Sequence, residues 1–271
     1  RSSALSAMAM ADRADDLKKE AMAWVDSHAG QLERAAASIH GFAELGLEEY
    51  KSSKLLADML EKGGFRVERG VADMPTAFVG TWGSGKPVIG ILAEFDALPG
   101  LSQKAANPSQ ITEIEGGPGH GCGHNLFGAG SVGAALAMKA AMEKNKIPGT
   151  VKLFGTPAEE ITIGKGYMIK AGVFDGVDAC LNWHPSGQNK IHLTSNRALN
   201  SFEVVFRGKT AHAAGGPWDG RSALDAVELM DAGVNYLREH VKETVRIHYA
   251  IMDGGKAPNI VPDYARVWYF V

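Results

Sequence analysis

Apolar positions recur at helical spacing over residues 12–42. Leu17, Met22, Trp24 and Val25 make one stripe, and Leu32, Ala35, Ala36 and Ile39 the next. Asp12, Asp15 and Asp16 open this run, as acids do at the positive end of a helix. A second amphipathic run, 48–62, turns Leu55, Leu56, Met59 and Leu60 inward, and Gly63-Gly64 stops it. Strand-like runs follow at 65–71 and 76–82, then a Gly83-Ser84-Gly85 turn. Residues 87–95 are strongly apolar and short, the pattern of a buried strand. Residues 101–119 are polar with interspersed Gly and Pro, which predicts a long loop. Helical and strand patterns then alternate: helix 126–145, strand 150–154, helix 164–171, strand 179–183. This order predicts an α/β domain, a mixed sheet with helices on both faces.

The pattern changes near Gly187. Residues 199–206 alternate as a strand. Residues 221–240 place Leu224, Val227, Met230, Val234 and Leu237 on one helical face, and 245–252 and 264–271 read as further strands. A small antiparallel α+β domain is expected at 191–271, beside a larger one at 12–190. The last residue falls inside a strand pattern, so the chain is expected to continue past Val271, leaving the second domain incomplete. At the other end, Ala9-Met10-Ala11 resembles the small-residue end of an export signal without its apolar core or basic start. Residues 2–11 read as a leader without fixed structure.

Composition narrows the field. With 45% hydrophobic and 22% charged residues, the chain can bury a real core. A net charge of -3 offers no footprint for nucleic acid or an anionic membrane surface. No apolar run approaches the ~18 residues of a spanning helix. Cys122 and Cys180 make no disulfide framework, so a reduced compartment fits. A cytoplasmic location is expected, with an exported form left open.

The chemistry centres on Gly119-His120-Gly121-Cys122-Gly123-His124-Asn125. Imidazole and thiolate are ligands that zinc and its divalent neighbours favour. In an extended backbone His120, Cys122 and His124 share one face. The bland alternative is a Gly-rich turn with a buried cysteine and two hydrogen-bonded histidines. Upstream, AEFDALPG places Glu94 and Asp96 at the end of a buried strand, where ligands of open α/β sheets collect. Downstream, GTPAEE puts Glu159-Glu160 after the next strand. In an extended segment one glutamate could hold a metal while the other reached a polarised water. Their alternative is a solvated acidic pair at a helix start. His184-Pro185 ends a third strand. Convergence of such groups on one sheet edge is what a metal centre requires.

These motifs, with GKTAHAA, SALDAVELM and PNIVPD further on, resemble the M20 metallopeptidases, and among them the D branch of amidohydrolases. Within that branch the chain resembles the B-subunit type of aminobenzoyl-glutamate hydrolase, from about Asp12 onward. The resemblance implies a di-metal exopeptidase-like catalytic domain with a lid that also dimerises. It implies two divalent ions, zinc or manganese, on Cys122, His124, Glu160 and His184. Glu159 is then the general base, and Asp96 and His120 lie just outside the ligands. His212, in the lid, is implied to stabilise the oxyanion in the site of a partner chain, and Asn259 to contact substrate. Glu94 stands where the family usually has histidine. The family's last histidine ligand follows the lid and is expected beyond Val271. The implied activity is hydrolysis of an N-acyl or N-aroyl amino acid. A dipeptidase or aminoacylase, or a catalytically silent metal-binding subunit of a hetero-oligomer, stands as the alternative. The implied partners are a small amide substrate and a second protein chain, in a homodimer or a hetero-oligomer, with neither nucleic acid nor membrane.

Overall fold

The computed structural model of the chain describes residues 2–161, 163–191 and 198–271, with side chains from residue 13 onward. The first stretch of the expected second domain, 192–197, lies outside the described residues. Two compact units divide at Lys190 and Ile191.

In the first unit, helix α1 (Ser2–Phe42) is followed by α2 (Tyr50–Lys62), β1 (Arg66–Arg69), β2 (Phe78–Ser84), β3 (Val88–Ala93), α3 (His124–Asn145), β4 (Gly149–Gly155), α4 (Gly164–Lys170) and β5 (Ala179–Leu181). The strands form one mixed sheet in the order β1-β2-β4-β3-β5. Strands β1, β2 and β4 pair antiparallel, while β3 runs parallel to both β4 and β5. The C-terminal ends of β3, β4 and β5 therefore lie side by side.

Alternation along the strands divides the core into two layers. Ile91, Ala93, Val151 and Leu153 pack with Ala35, Ile39, Leu56, Leu60, Val132 and Ala135 of α1, α2 and α3. Leu92 and Phe154 face the other way, against Val71, Val79 and Met168. The α/β expectation of helices on both faces holds for this reason. Each large apolar side chain fully buried in these layers contributes about 1.5–3 kcal/mol.

The structure departs from the sequence pattern at several ends. Helix α1 runs back to Ser2, through the segment expected to be a leader. Met22, placed on its apolar stripe, is exposed. Helix α3 begins two residues earlier than predicted. Strand β5 is short and exposed at the sheet edge rather than buried, because only β3 pairs with it among the described residues. Among the described residues no helix is long and apolar enough to cross a membrane.

In the second unit, β6 (Ser201–Arg207), α5 (Ala223–Leu237), β7 (His248–Asp253) and β8 (Tyr264–Phe270) form an antiparallel sheet, order β6-β8-β7, with α5 over one face. Ala223, Val227, Ile247, Ala265, Val267 and Tyr269 make its core. Ser222 caps α5 by accepting the Asp225 amide at 3.0 Å. The predicted helix ends and the start of β7 shift by two or three residues, since caps and pairing set them rather than apolar spacing.

Candidate metal centre

Strands β3, β4 and β5 deliver Glu94 and Asp96, Glu159 and Glu160, and His184 respectively to one edge of the sheet. Helix α3 joins them from its first residue, His124. It approaches so closely that a Cβ on Gly128 would lie 3.0 Å from the Glu94 carbonyl oxygen. Gly123, the residue before α3, adopts φ 75, which favours glycine. A Cβ there would also stand 3.0 Å from Pro185 Cγ, so His184 is seated beside the helix start.

His124 is the hub, fully buried. Its Nδ1 donates to Asp96 Oδ1 at 2.9 Å. Its Nε2 lies 3.1 Å from Glu94 Oε2 and 3.9 Å from Glu159 Oε2. The Glu94 approach is an ion-pair contact without hydrogen-bond alignment. Glu160 Oε1 is 3.7 Å from Nδ1, and the His184 ring is 5.4 Å away, edge-on. Burial opposes a charge on His124, but the bond to Asp96 and the nearby Glu94 carboxylate outweigh it and hold its pKa at about 10. His184 Nδ1 donates to the Pro185 carbonyl at 2.8 Å, which leaves Nε2 as an acceptor.

The acids are equally constrained. Glu94 and Asp96 are buried. Lys165, from the first turn of α4, donates to Glu94 Oε1 at 2.6 Å. Burial raises the Glu94 pKa, and His124 and Lys165 more than reverse this, holding it below the usual carboxylate range. Glu159 is pushed up, first by burial and then by the Glu94 charge. Cys122 sits beside Glu160. Burial, then that carboxylate, push the thiol up to about 12.

The local path differs from the extended one predicted for 119–125. The chain turns at Gly121-Cys122 and enters α3 at His124. Residues two apart therefore do not share a face. His120 turns toward α1, with Nε2 3.1 Å from the Ile39 carbonyl and its ring 6.2 Å from that of His40. Burial pulls its pKa down to about 4. Glu159 and Glu160 also sit in a turn, entered through Ala158 at φ 58. Their carboxylates approach opposite edges of one imidazole instead of opposite faces of a strand.

The donor set fits divalent cations. Glu94, His124 and His184 bring ligand atoms within 4.8 Å of one another, as do His124, Glu159 and Glu160. At the centre, His124 Nε2 and Glu160 Oε1 are buried without a hydrogen-bond partner among the described residues. Unpaired buried polar atoms of this kind call for a ligand. Four carboxylates there face two imidazoles and one ammonium. Glu94 and Lys165 are the members whose part sequence pattern left unassigned. Position 94 was visible as an acid at a strand end; Lys165 carried no signal beyond its charge.

In the second unit, residues 211–213 run beside 259–261. Ala213 N donates to the Asn259 carbonyl at 3.1 Å, and His212 bridges to Ile260. His212 and Asn259, predicted separately, are thus neighbours and both exposed. His212 Nδ1 accepts the Ala214 and Gly215 amides at 3.2 and 3.1 Å, which places the ring proton on Nε2.

A mixed α/β domain gathering imidazoles and carboxylates at the C-terminal ends of neighbouring strands belongs to the class of open-sheet domains that bind ligands at those ends. More particularly, the chain belongs to peptidase family M20/M25/M40, whose model matches residues 90–263. It is 47% identical over 231 residues to the B subunit of p-aminobenzoyl-glutamate hydrolase of Escherichia coli, covering 84% of this chain and 48% of that protein. To the Xaa-Arg dipeptidase of Mus musculus it is 34% identical over 267 residues, covering 94% and 58%. Among solved structures, a dinuclear metal binding peptidase of the M20 family from Bacillus subtilis superposes with a TM-score of 0.59 at 22% identity, over 90% of this chain and 64% of that one. The chain spans about half the length of the curated relatives it matches.

Proposed function

We propose that this chain carries the catalytic centre of a metal-dependent amidohydrolase acting on N-acyl or N-aroyl amino acids of the aminobenzoyl-glutamate kind. The observation that supports this is the buried, unpartnered His124 Nε2 and Glu160 Oε1 inside a ring of Glu94, Glu159, Cys122 and His184. Cys122, His124, Glu160 and His184 would hold two divalent ions, zinc or manganese, and Glu94 joins them by its place beside His124 and His184. Bound there, such ions polarise an amide carbonyl and make a water easier to deprotonate.

The remaining work falls to the chain's own groups. Glu159 takes a proton from the attacking water as the C–O bond forms. It returns that proton to the amine nitrogen as the C–N bond breaks. Its raised pKa suits both transfers. Asp96 fixes the His124 tautomer so that Nε2 faces the ligands. Lys165 balances the Glu94 charge. His212, with its proton on Nε2, donates to the carbonyl oxygen as charge develops there, and Asn259 beside it contacts the substrate. Both act from the 191–271 lid, and we assign the receiving site to the other copy in a homodimer. The Escherichia coli relative is by its name one subunit of a hydrolase, which makes a hetero-oligomer the second arrangement to test. We place the protein in the cytoplasm, where Cys122 stays reduced.

The similarity to an Xaa-Arg dipeptidase supports one rival substrate class. The test uses the full-length protein, stripped of metal and then reloaded with zinc or manganese. Substrates are p-aminobenzoyl-glutamate, N-acetyl amino acids and dipeptides ending in arginine. We expect metal-dependent cleavage of the aroyl or acyl amides. Cleavage of the dipeptides alone would move the reading to the rival. No cleavage of any by folded, metal-loaded protein would leave a catalytically silent member of an assembly.

A further inference from the structure

The turn that presents Glu159 and Glu160 does not hold itself in place. It enters through Ala158 in the left-handed region, a conformation alanine adopts only when its surroundings impose it. Two buried carboxylates from other segments impose it here. Asp96 Oδ2 accepts the Glu160 amide at 2.8 Å. Glu49 Oε1 accepts the Ala158 amide at 2.7 Å, and its Oε2 accepts the Thr76 hydroxyl at 2.9 Å. Glu49 is fully buried.

Glu49 occupies the N-cap position of α2, yet its side chain makes no cap bond. That task falls to Glu44, which accepts the Lys51 and Ser52 amides at 2.9 and 2.8 Å. The loop 43–49 also lies against the turn, for a Cβ on Gly46 would stand 3.1 Å from Ala158 Cα. The same loop accepts the Ala97 amide at the Glu44 carbonyl, next to Asp96. One short loop thus braces both segments of the site. An anion is costly to bury unless its lone pairs are taken, and those of Glu49 are spent on the turn and on Thr76.

We propose that Glu49 is a positioning residue. With Asp96 it grips alternate amides of the 158–160 turn and sets where the Glu159 and Glu160 carboxylates stand relative to His124.

The first test needs neither metal nor substrate. Hydrogen exchange of the metal-free, full-length protein is read by mass spectrometry in a peptide covering 156–161. Glu49→Ala should speed exchange there about 10-fold or more, the worth of a hydrogen bond to a charged group. Peptides from β1 and β2 should stay within about twofold. Glu49→Gln keeps an oxygen for the Ala158 amide and should exchange close to the parent. If Glu49→Ala does not fold, Glu49→Asp, one methylene shorter, carries the comparison. Unchanged exchange at 156–161, equal acceleration throughout the domain, or Glu49→Gln behaving as Glu49→Ala would each overturn the proposal.

A second arm rests on the proposed hydrolysis. Glu49→Ala should lower kcat about 10–100-fold with KM within about threefold, and Glu49→Gln should recover most of the loss. An unchanged kcat in Glu49→Ala would overturn the positioning role. If the parent protein hydrolyses nothing, the proposed reaction falls, and the exchange experiment alone decides Glu49.

Discussion

Replacing Asp96 with asparagine tests the centre at its best-defined contact. The Asp96 carboxylate accepts two buried hydrogen bonds, from His124 Nδ1 at 2.9 Å and from the Glu160 amide at 2.8 Å. Asparagine offers one acceptor oxygen and one NH2 donor. Whichever way it turns, one of those N–H groups meets a donor. If the amide oxygen keeps the Glu160 amide, the NH2 faces His124 Nδ1. The imidazole can then satisfy it only by giving up its Nδ1 proton, which leaves the remaining ring proton on Nε2, the nitrogen aimed at the ligand cluster. A cation must reverse that tautomer before Nε2 can bind. The loss should match one unsatisfied buried donor, about 1–3 kcal/mol, or roughly 5–150-fold in metal affinity at about 1.4 kcal/mol per tenfold. Competition of zinc between Asp96→Asn protein and a chromophoric chelator, at fixed pH, measures it. The fold should persist, because the apolar layers beneath are untouched. Nitrogen-15 spectra of labelled histidine should show His124 Nδ1 protonated in the loaded parent and altered in the variant. Zinc affinity within twofold of the parent would refute the argument that Asp96 sets the tautomer.

Glu159→Gln keeps shape and loses the proton acceptor, so metal content should hold while turnover falls roughly 10²–10⁴-fold. Normal turnover with intact metal would remove Glu159 from the reaction. His212→Ala should cost on the order of 10²–10³ in turnover as one oxyanion donor is lost. Mixing it with Glu159→Gln protein should restore activity through hybrid sites if His212 serves a partner chain; exchange of chains without recovery would confine it to its own. Metal-free stability, followed by urea unfolding, should peak near pH 6.5. His120 is held near 4 when folded, so its contribution is present above about 6.5 and is lost as pH falls toward 4. His124 is held near 10, so its contribution is complete below about 6.5 and is lost as pH rises toward 10. Each slope is at most about 1.4 kcal/mol per pH unit. A His124→Asn protein that keeps the full alkaline loss would disprove the second half.

The sequence by itself determined which donors exist and that they close apolar segments. Glu159-Glu160 follows 150–154, and His184 follows 179–183, so the apolar run that marks a strand also marks its end, although the second strand is exposed at the sheet edge. The antiparallel β-α-β-β order of the second unit was legible for the same reason. What the donors meet was not. The order β1-β2-β4-β3-β5, which sets the ends of β3, β4 and β5 side by side, depends on pairing between distant segments. In Gly119–Asn125 the local alternation pointed to a strand. The tertiary structure decided otherwise, because α3 packs its first turns against the end of β3, and His124 pairs with Asp96 28 residues away. That choice turned His120 toward Ile39. Glu94 became a member of the centre through Lys165, 71 residues on, and Glu49 reached Ala158 across 109 residues. Local periodicity records that a side chain is buried. Its partner is fixed only when the chain closes, since a hydrogen bond across such separations has no imprint on the neighbours of either residue.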